Sequence, residues 1–119
     1  MLTELRTKVS KWIIAGVVLI ISMGVFTPIA YADPILGSKV FNANCAACHI
    51  GGGNVVQAQK TLKLEALQKY GMDSIDAIVA QVTGGKNAMP AFKGKLKADQ
   101  INDVAEYVLA QANNGWKKG

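Results

Sequence analysis

The sequence predicts an all-α domain of about four helices joined by long loops, and three observations carry that prediction. Apolar residues recur at helical spacing in several segments beyond residue 32. No stretch alternates polar and apolar residues with period two over a useful length. Glycine and proline punctuate the intervening segments, which are long for so small a domain unless something other than side chains fills the space between them.

Taken in order, Leu36, Val40 and Phe41 fall on one helical face, so the first helix covers about ten residues and ends near Cys45. Ile50-Gly-Gly-Gly-Asn-Val-Val56 reads as a loop. Leu64 to Tyr70 is a short helix closed by Gly71. Asp73 or Ser74 caps the next helix, whose apolar stripe is Ile75, Ile78, Val79 and Val82 and which stops at Gly84-Gly85. Residues 86 to 96 contain Pro90 and should be irregular. The last helix runs from about Ala98 to Ala112, with Ile101, Val104, Ala105, Val108, Leu109 and Ala112 on one side. Lys97 stands where a Ser or Asp cap is usual, and Asp99 is the candidate cap one turn later. There is no internal repeat, low-complexity tract or linker.

Directly after the first helix comes Cys45-Ala46-Ala47-Cys48-His49. This is C-x-x-C-H, the attachment signature of c-type haem. Two thiols at this spacing can add across the two vinyl groups of the porphyrin, and the adjacent imidazole can take the iron as proximal ligand. Cys45 and Cys48 are the only cysteines of the chain and His49 its only histidine. Three other readings compete. Zinc usually wants four ligands, and only three Cys and His residues exist. A thioredoxin-like pair wants a preceding strand, whereas Gly37 to Asn44 reads as helix. A structural disulfide in an oxidising compartment is the main rival.

The first 32 residues do not read as domain. Arg6, Lys8 and Lys11 precede an apolar run from Trp12 to Phe26, and Ala30-Tyr31-Ala32 offers small residues at both positions a signal peptidase reads. The expectation is a cleavable secretory signal peptide over 1–32 and a haem-bearing domain over 33–119. An uncleaved membrane anchor is the alternative, although the run is short for a full span. The expected mature domain has 87 residues, with ten lysines against seven acids. Its protein-only core would be thin, and a buried haem would add the missing apolar mass. The mildly basic surface suits an acidic partner. It lacks the basic stripe interleaved with aromatics that nucleic-acid binding requires.

One histidine excludes bis-histidine ligation from within the chain, which leaves methionine for the second axial position. Met89 precedes Pro90, which biases it toward an extended conformation able to hold a sulfur in a defined place. Met72, between two helices, is the other candidate and reads better as a core gap-filler. A His/Met pair raises the reduction potential and leaves no free axial site, so the chemistry to expect is single-electron transfer rather than catalysis.

From residue 37 onward one pattern links Gly37-x-x-x-Phe41, Asn44-Cys-Ala-Ala-Cys-His49, Lys60-Thr-Leu62, Glu65-Ala-Leu-x-Lys-Tyr-Gly71, Asp103-Val-Ala-x-Tyr-Val108 and Trp116. Its most specific stretch is Gln81-Val-Thr-x-Gly-Lys-Asn-Ala-Met-Pro-Ala-Phe92. On these residues the chain resembles the cytochrome c6 family. The resemblance implies a class I cytochrome c fold around one covalently attached haem c, with the first and last helices crossing at Gly37, Phe41 and Tyr107. It implies attachment at Cys45 and Cys48 and axial ligation by His49 and Met89. Lys60 resembles the family's lysine near the haem propionates, Gln81 its glutamine near the porphyrin edge, and Asn54 would order the loop beside the haem. Gln81 and Lys60 also have plainer readings, as a helix-surface residue and a solvated charge. The implied role is a monomeric, mobile carrier taking electrons from the cytochrome bf complex to photosystem I, with a terminal oxidase as a second acceptor. The implied location is the thylakoid lumen or periplasm. The rival roles are a haem-based sensor or ligand-binding module and a low-potential paralogue. The expected mature chain departs from the family in having no arginine: Lys95 stands where one is often found.

Overall fold

A computed structural model describes residues 24–25 and 31–118. The leader expected over 1–32 therefore lies almost wholly outside the described residues. Four helices form the domain: α1 (Pro34–Asn44), α2 (Leu64–Lys69), α3 (Ile75–Gly84) and α4 (Ala98–Asn113). A single α-turn at Ala46–His49 and a 3-10 turn at Ile50–Gly52 follow α1. Residues 86 to 96 carry only two isolated bridges, Lys86 with Met89 and Lys93 with Leu96. Among the described residues no helix is long and apolar enough to cross a membrane.

Each helix starts for a local reason. The Asp33 carboxylate accepts from the amides of Ile35 and Leu36 at 2.8 and 3.3 Å, and Pro34 occupies the first turn, where no amide hydrogen is needed. Ser74, not Asp73, caps α3 by accepting from the Ala77 amide at 3.2 Å. At α4 the expected cap by Asp99 is replaced by a different device. The Gln100 side chain reaches back and accepts from the Lys97 amide at 2.9 Å. Asp99 accepts only from its immediate neighbour Gln100. Lysine has no acceptor to offer at this end.

Helix α1 crosses α4 at Gly37. A β-carbon there would run into the Asp103 carbonyl oxygen and the Tyr107 side chain, so glycine is what lets the two backbones meet. Phe41 stacks tilted against Tyr107 and Trp116, with ring centroids 5.4 and 5.3 Å apart, and Tyr107 meets Trp116 edge-on. Trp116 also donates its indole N–H to the Leu62 carbonyl at 2.9 Å, which ties the chain end to the loop before α2. The buried cluster runs from Val40 and Phe41 through Ile78, Val82 and Phe92 to Ile101, Val104, Ala105 and Val108. The stripes on α3 and α4 expected from periodicity thus supply most of the core.

Candidate functional site

Beside this core opens a cleft of about 290 Å³. Phe41, Leu67, Ile78, Val82, Phe92 and Val104 form much of its apolar wall. Cys45, Cys48, His49, Asn54, Lys60, Gln81 and Met89 all line it, so every candidate site residue comes to one place. Met72 lines it as well.

The C-x-x-C-H segment reaches the cleft because α1 ends at Asn44 and the chain turns at once. The amides of Cys48 and His49 both bond to the Cys45 carbonyl, at 3.1 and 2.9 Å. Cys45 and Cys48 are free thiols, so the two are not joined as a disulfide. Cys45 is half-buried, and that burial, with the neighbouring Cys48 as a lesser cause, pushes its thiol up to about 11. His49 Nδ1 lies 2.9 Å from the Gly53 carbonyl oxygen. A carbonyl can only accept, so Nδ1 carries the hydrogen and Nε2 keeps its lone pair for a ligand. Gly51 and Gly52 make this possible: with φ of 61° and 79° they bend the chain back so that Gly53 meets the imidazole. Gly52 also lies flush against the Trp116 ring, where a β-carbon would come within 2.5 Å.

On the other side of the sequence, Met89 is set by a tight turn. Lys86 and Met89 exchange both backbone hydrogen bonds at 3.0 Å, with Asn87 in the left-handed region at φ 53°. Gly85, at φ 65°, packs against the Met89 carbonyl and the backbone of Pro90 and Ala91. The Gln81 amide on α3 donates to the Met89 sulfur at 3.6 Å. Met72 instead hangs from the end of α2, its amide bonded to the Leu67 carbonyl at 2.7 Å.

Asn54 braces the loop between the turn and α2. Its oxygen accepts from the Val56 and Gln57 amides at 3.0 and 2.8 Å, and its nitrogen donates to the Lys60 carbonyl at 2.8 Å. The Lys60 ammonium lies 5.5 Å from the Tyr70 ring centroid, and Lys69 lies at 5.6 Å from the same ring. Tyr70 lines the cleft and was not foreseen as a site residue. Its sequence signals are its place just past the short α2 and its presence in the Glu65 to Gly71 stretch of the family resemblance, neither of which points to the cleft. Gly53 was missed too. The glycine run that follows His49 and Ile50 reads as a loop and does not reveal which carbonyl turns back to the imidazole.

Two free thiols, an imidazole with one nitrogen held and one available, and a thioether therefore share one apolar cleft. These donors fit a flat, covalently attached iron porphyrin, and among the described residues no three His, Cys, Asp or Glu side chains cluster to hold a bare metal ion. Helices and cleft together define a class I c-type cytochrome. A family model described as "Cytochrome C oxidase, cbb3-type, subunit III" matches residues 32–108, a stretch that includes both cysteines, His49 and Met89. Cytochrome c6 of Nostoc sp. is 56% identical over 110 residues, covering 92% of this chain and 98% of the relative. Cytochrome c6 of Aphanizomenon flos-aquae is 64% identical over 87 residues, covering 73% of this chain and 100% of the relative. The crystal structure of cytochrome c6 from the diatom Phaeodactylum tricornutum superposes with a TM-score of 0.69 at 56% identity, over 71% of this chain and 99% of that one. The chain belongs to the cytochrome c6 family. It is an electron-transfer protein, not an enzyme, and its cofactor is a covalently bound haem c.

Proposed function

We propose that Cys45 and Cys48 hold the haem through thioether bonds and that His49 and Met89 are its axial ligands. The observation that carries this is the meeting of all four side chains in one apolar cleft, with His49 Nε2 left available by the bond from Nδ1 to Gly53. The bound haem supplies a one-electron couple, and a histidine–methionine pair places its potential high. Gln81 holds the Met89 sulfur through its amide N–H, which keeps the thioether in one orientation. Lys60 and Asn54 hold the loop edge of the cleft, and Lys60 offers a cation to the haem carboxylates.

The chain then works as a mobile carrier from the cytochrome bf complex to photosystem I, with a terminal oxidase as a further acceptor. Ile50, Val55 and Val56 are 71, 66 and 59% exposed, and Val56 lines the cleft, so an apolar rim is open to partners. Lys86, Lys93 and Lys95 are exposed on the segment that carries Met89. A small apolar contact ringed by lysines suits short-lived encounters with acidic partners. Residues 1–32 act as a cleaved leader, placing 33–119 in the thylakoid lumen or periplasm. The whole-length match of the Aphanizomenon relative over 87 residues, the size of 33–119, supports that division.

The test is a spectroelectrochemical titration of the haem-loaded domain. The expected result is a clearly positive potential, a methionine–iron charge-transfer band and almost no spectral change with carbon monoxide. A low potential, a missing band or ready carbon monoxide binding removes Met89 from the iron and replaces the carrier with a sensor or a low-potential paralogue.

A further inference from the structure

The first residue of the expected mature chain makes a contact that its position alone would not suggest. The Asp33 backbone nitrogen donates to Asp103 Oδ1 on α4 at 3.1 Å, across 70 positions of sequence. Asp103 therefore meets the first turn of α1 twice: its carboxylate holds the Asp33 nitrogen, and its main-chain carbonyl is the atom against which Gly37 packs. The Asp33 side chain is committed elsewhere, capping α1 through Ile35 and Leu36.

While residue 32 is attached, the Asp33 nitrogen is a neutral amide with one hydrogen. Hydrolysis of the Ala32–Asp33 bond consumes one water, leaves a carboxylate on Ala32 and leaves an amine on Asp33. With a reference pKa of about 7.7–8.0, that amine takes a proton at neutral pH. The donor already within hydrogen-bond distance of Asp103 then carries a full positive charge and three hydrogens. A neutral bond becomes a charge-assisted one. The new cation lies at the positive end of the α1 dipole, which alone would disfavour it. It is offset there by two carboxylates, those of Asp33 and Asp103.

We infer that removal of the leader creates an ammonium–carboxylate pair between Asp33 and Asp103 that fastens α1 to α4 at their crossing, so that processing itself stabilises the folded domain. This rests on the leader reading above, with cleavage after Ala32.

The experiment begins with the mass of the haem-loaded chain after export. Thermal midpoints are then measured for that chain, for its N-terminally acetylated form and for a chain retaining Ala32, each with Asp103 and with Asp103→Asn. Asparagine keeps an oxygen acceptor of the same shape and removes the charge, so folding is preserved. The expected result is an N-terminus at Asp33 and a midpoint about 2–5 °C above the acetylated and extended forms, a gap that closes in Asp103→Asn. A chain that starts at Asp33 but shows no gap, or a gap that Asp103→Asn leaves unchanged, overturns the inference while the leader reading stands. A chain that starts elsewhere overturns both.

Discussion

The two sides of this domain are held by different means. At the crossing of α1 and α4, side chains close around the backbone contact at Gly37. Val104 and Ala105 are 1 and 0% exposed, and Phe41, Tyr107 and Trp116 close on one another. Around the cleft, loops are held mainly by backbone hydrogen bonds: Val55 to Cys48, Leu62 to Gly52, and Lys86 with Met89. Large apolar residues on this rim remain open to solvent. The crossing carries its own close packing, whereas the cleft presents walls whose natural neighbour is a flat apolar group. The difference teaches that stability and redox tuning can be perturbed separately here, the first from the crossing and the second from the cleft.

The largest effect is expected at Gly37. Gly37→Ala drives a methyl into the Asp103 carbonyl, where neither backbone can yield without parting the helices. The cost should be about 3 kcal/mol or more, read as a lowered denaturation midpoint of the haem-loaded domain. Trp116→Ala comes next. It removes two aromatic contacts to Phe41 and Tyr107 and leaves the Leu62 carbonyl without its indole donor. Because Trp116 is only half-buried, a loss of about 2–3 kcal/mol is expected, with Trp116→Phe recovering most of it. Gly37→Ala should leave the reduction potential nearly unchanged, and Trp116→Ala, whose ring also packs on Gly52 and bonds to Leu62 at the cleft, should shift it only slightly. A large shift in potential from either would break the separation between the two sides.

The same division explains what could be read without coordinates. The amphipathic stripes of α3 and α4, and Gly37 with Phe41 one turn apart, are periodic signals, and side-chain packing obeys periodicity. The four residues proposed to hold the haem were legible because thiol, imidazole and thioether are rare groups here, with one motif and two methionines to choose between beyond the leader. The partner of His49 was not legible. It is a carbonyl, a group every residue owns, brought round by two glycines with positive φ. Tyr70 escaped for a related reason: its place over the cleft, with Lys60 and Lys69 on its ring, depends on how α2 meets the loop. The cap of α4 was misjudged because a glutamine reaching back from the third helical position does the work expected of Asp99.

On the cleft side, Gln81→Leu keeps the size of the side chain and removes the hydrogen bond to the Met89 sulfur. If Met89 ligates the haem iron as proposed, its sulfur would then donate more freely to the oxidised state. The potential should fall, on the order of 60 mV, a tenfold change for one electron. The melting midpoint should hardly move, because Gln81 is half-buried and the bond it loses is to a weakly accepting sulfur. An unchanged potential would leave Gln81 as a polar residue of the α3 surface and move the tuning of this site elsewhere.

The smallest effect concerns the start of α4 and returns to the crossing. Lys97 already has the extended backbone of a cap residue, with φ −71° and ψ 157°, but its side chain accepts nothing and sets a positive charge at the positive end of the helix. Lys97→Ser should supply the missing acceptor and, with Gln100 already bonded to the residue 97 amide, complete a reciprocal capping box. The gain is limited because the Gln100 amide, the usual target of such a cap, is held by Asp99 at 2.9 Å. About 0.5 kcal/mol is expected in the native background, rising to about 1 kcal/mol with Asp99→Ala, where the serine has no competitor. Denaturant midpoints of the four combinations would measure this. Equal gains in both backgrounds would mean that the benefit comes from removing the lysine charge rather than from the new hydrogen bond, which Lys97→Ala would then reproduce.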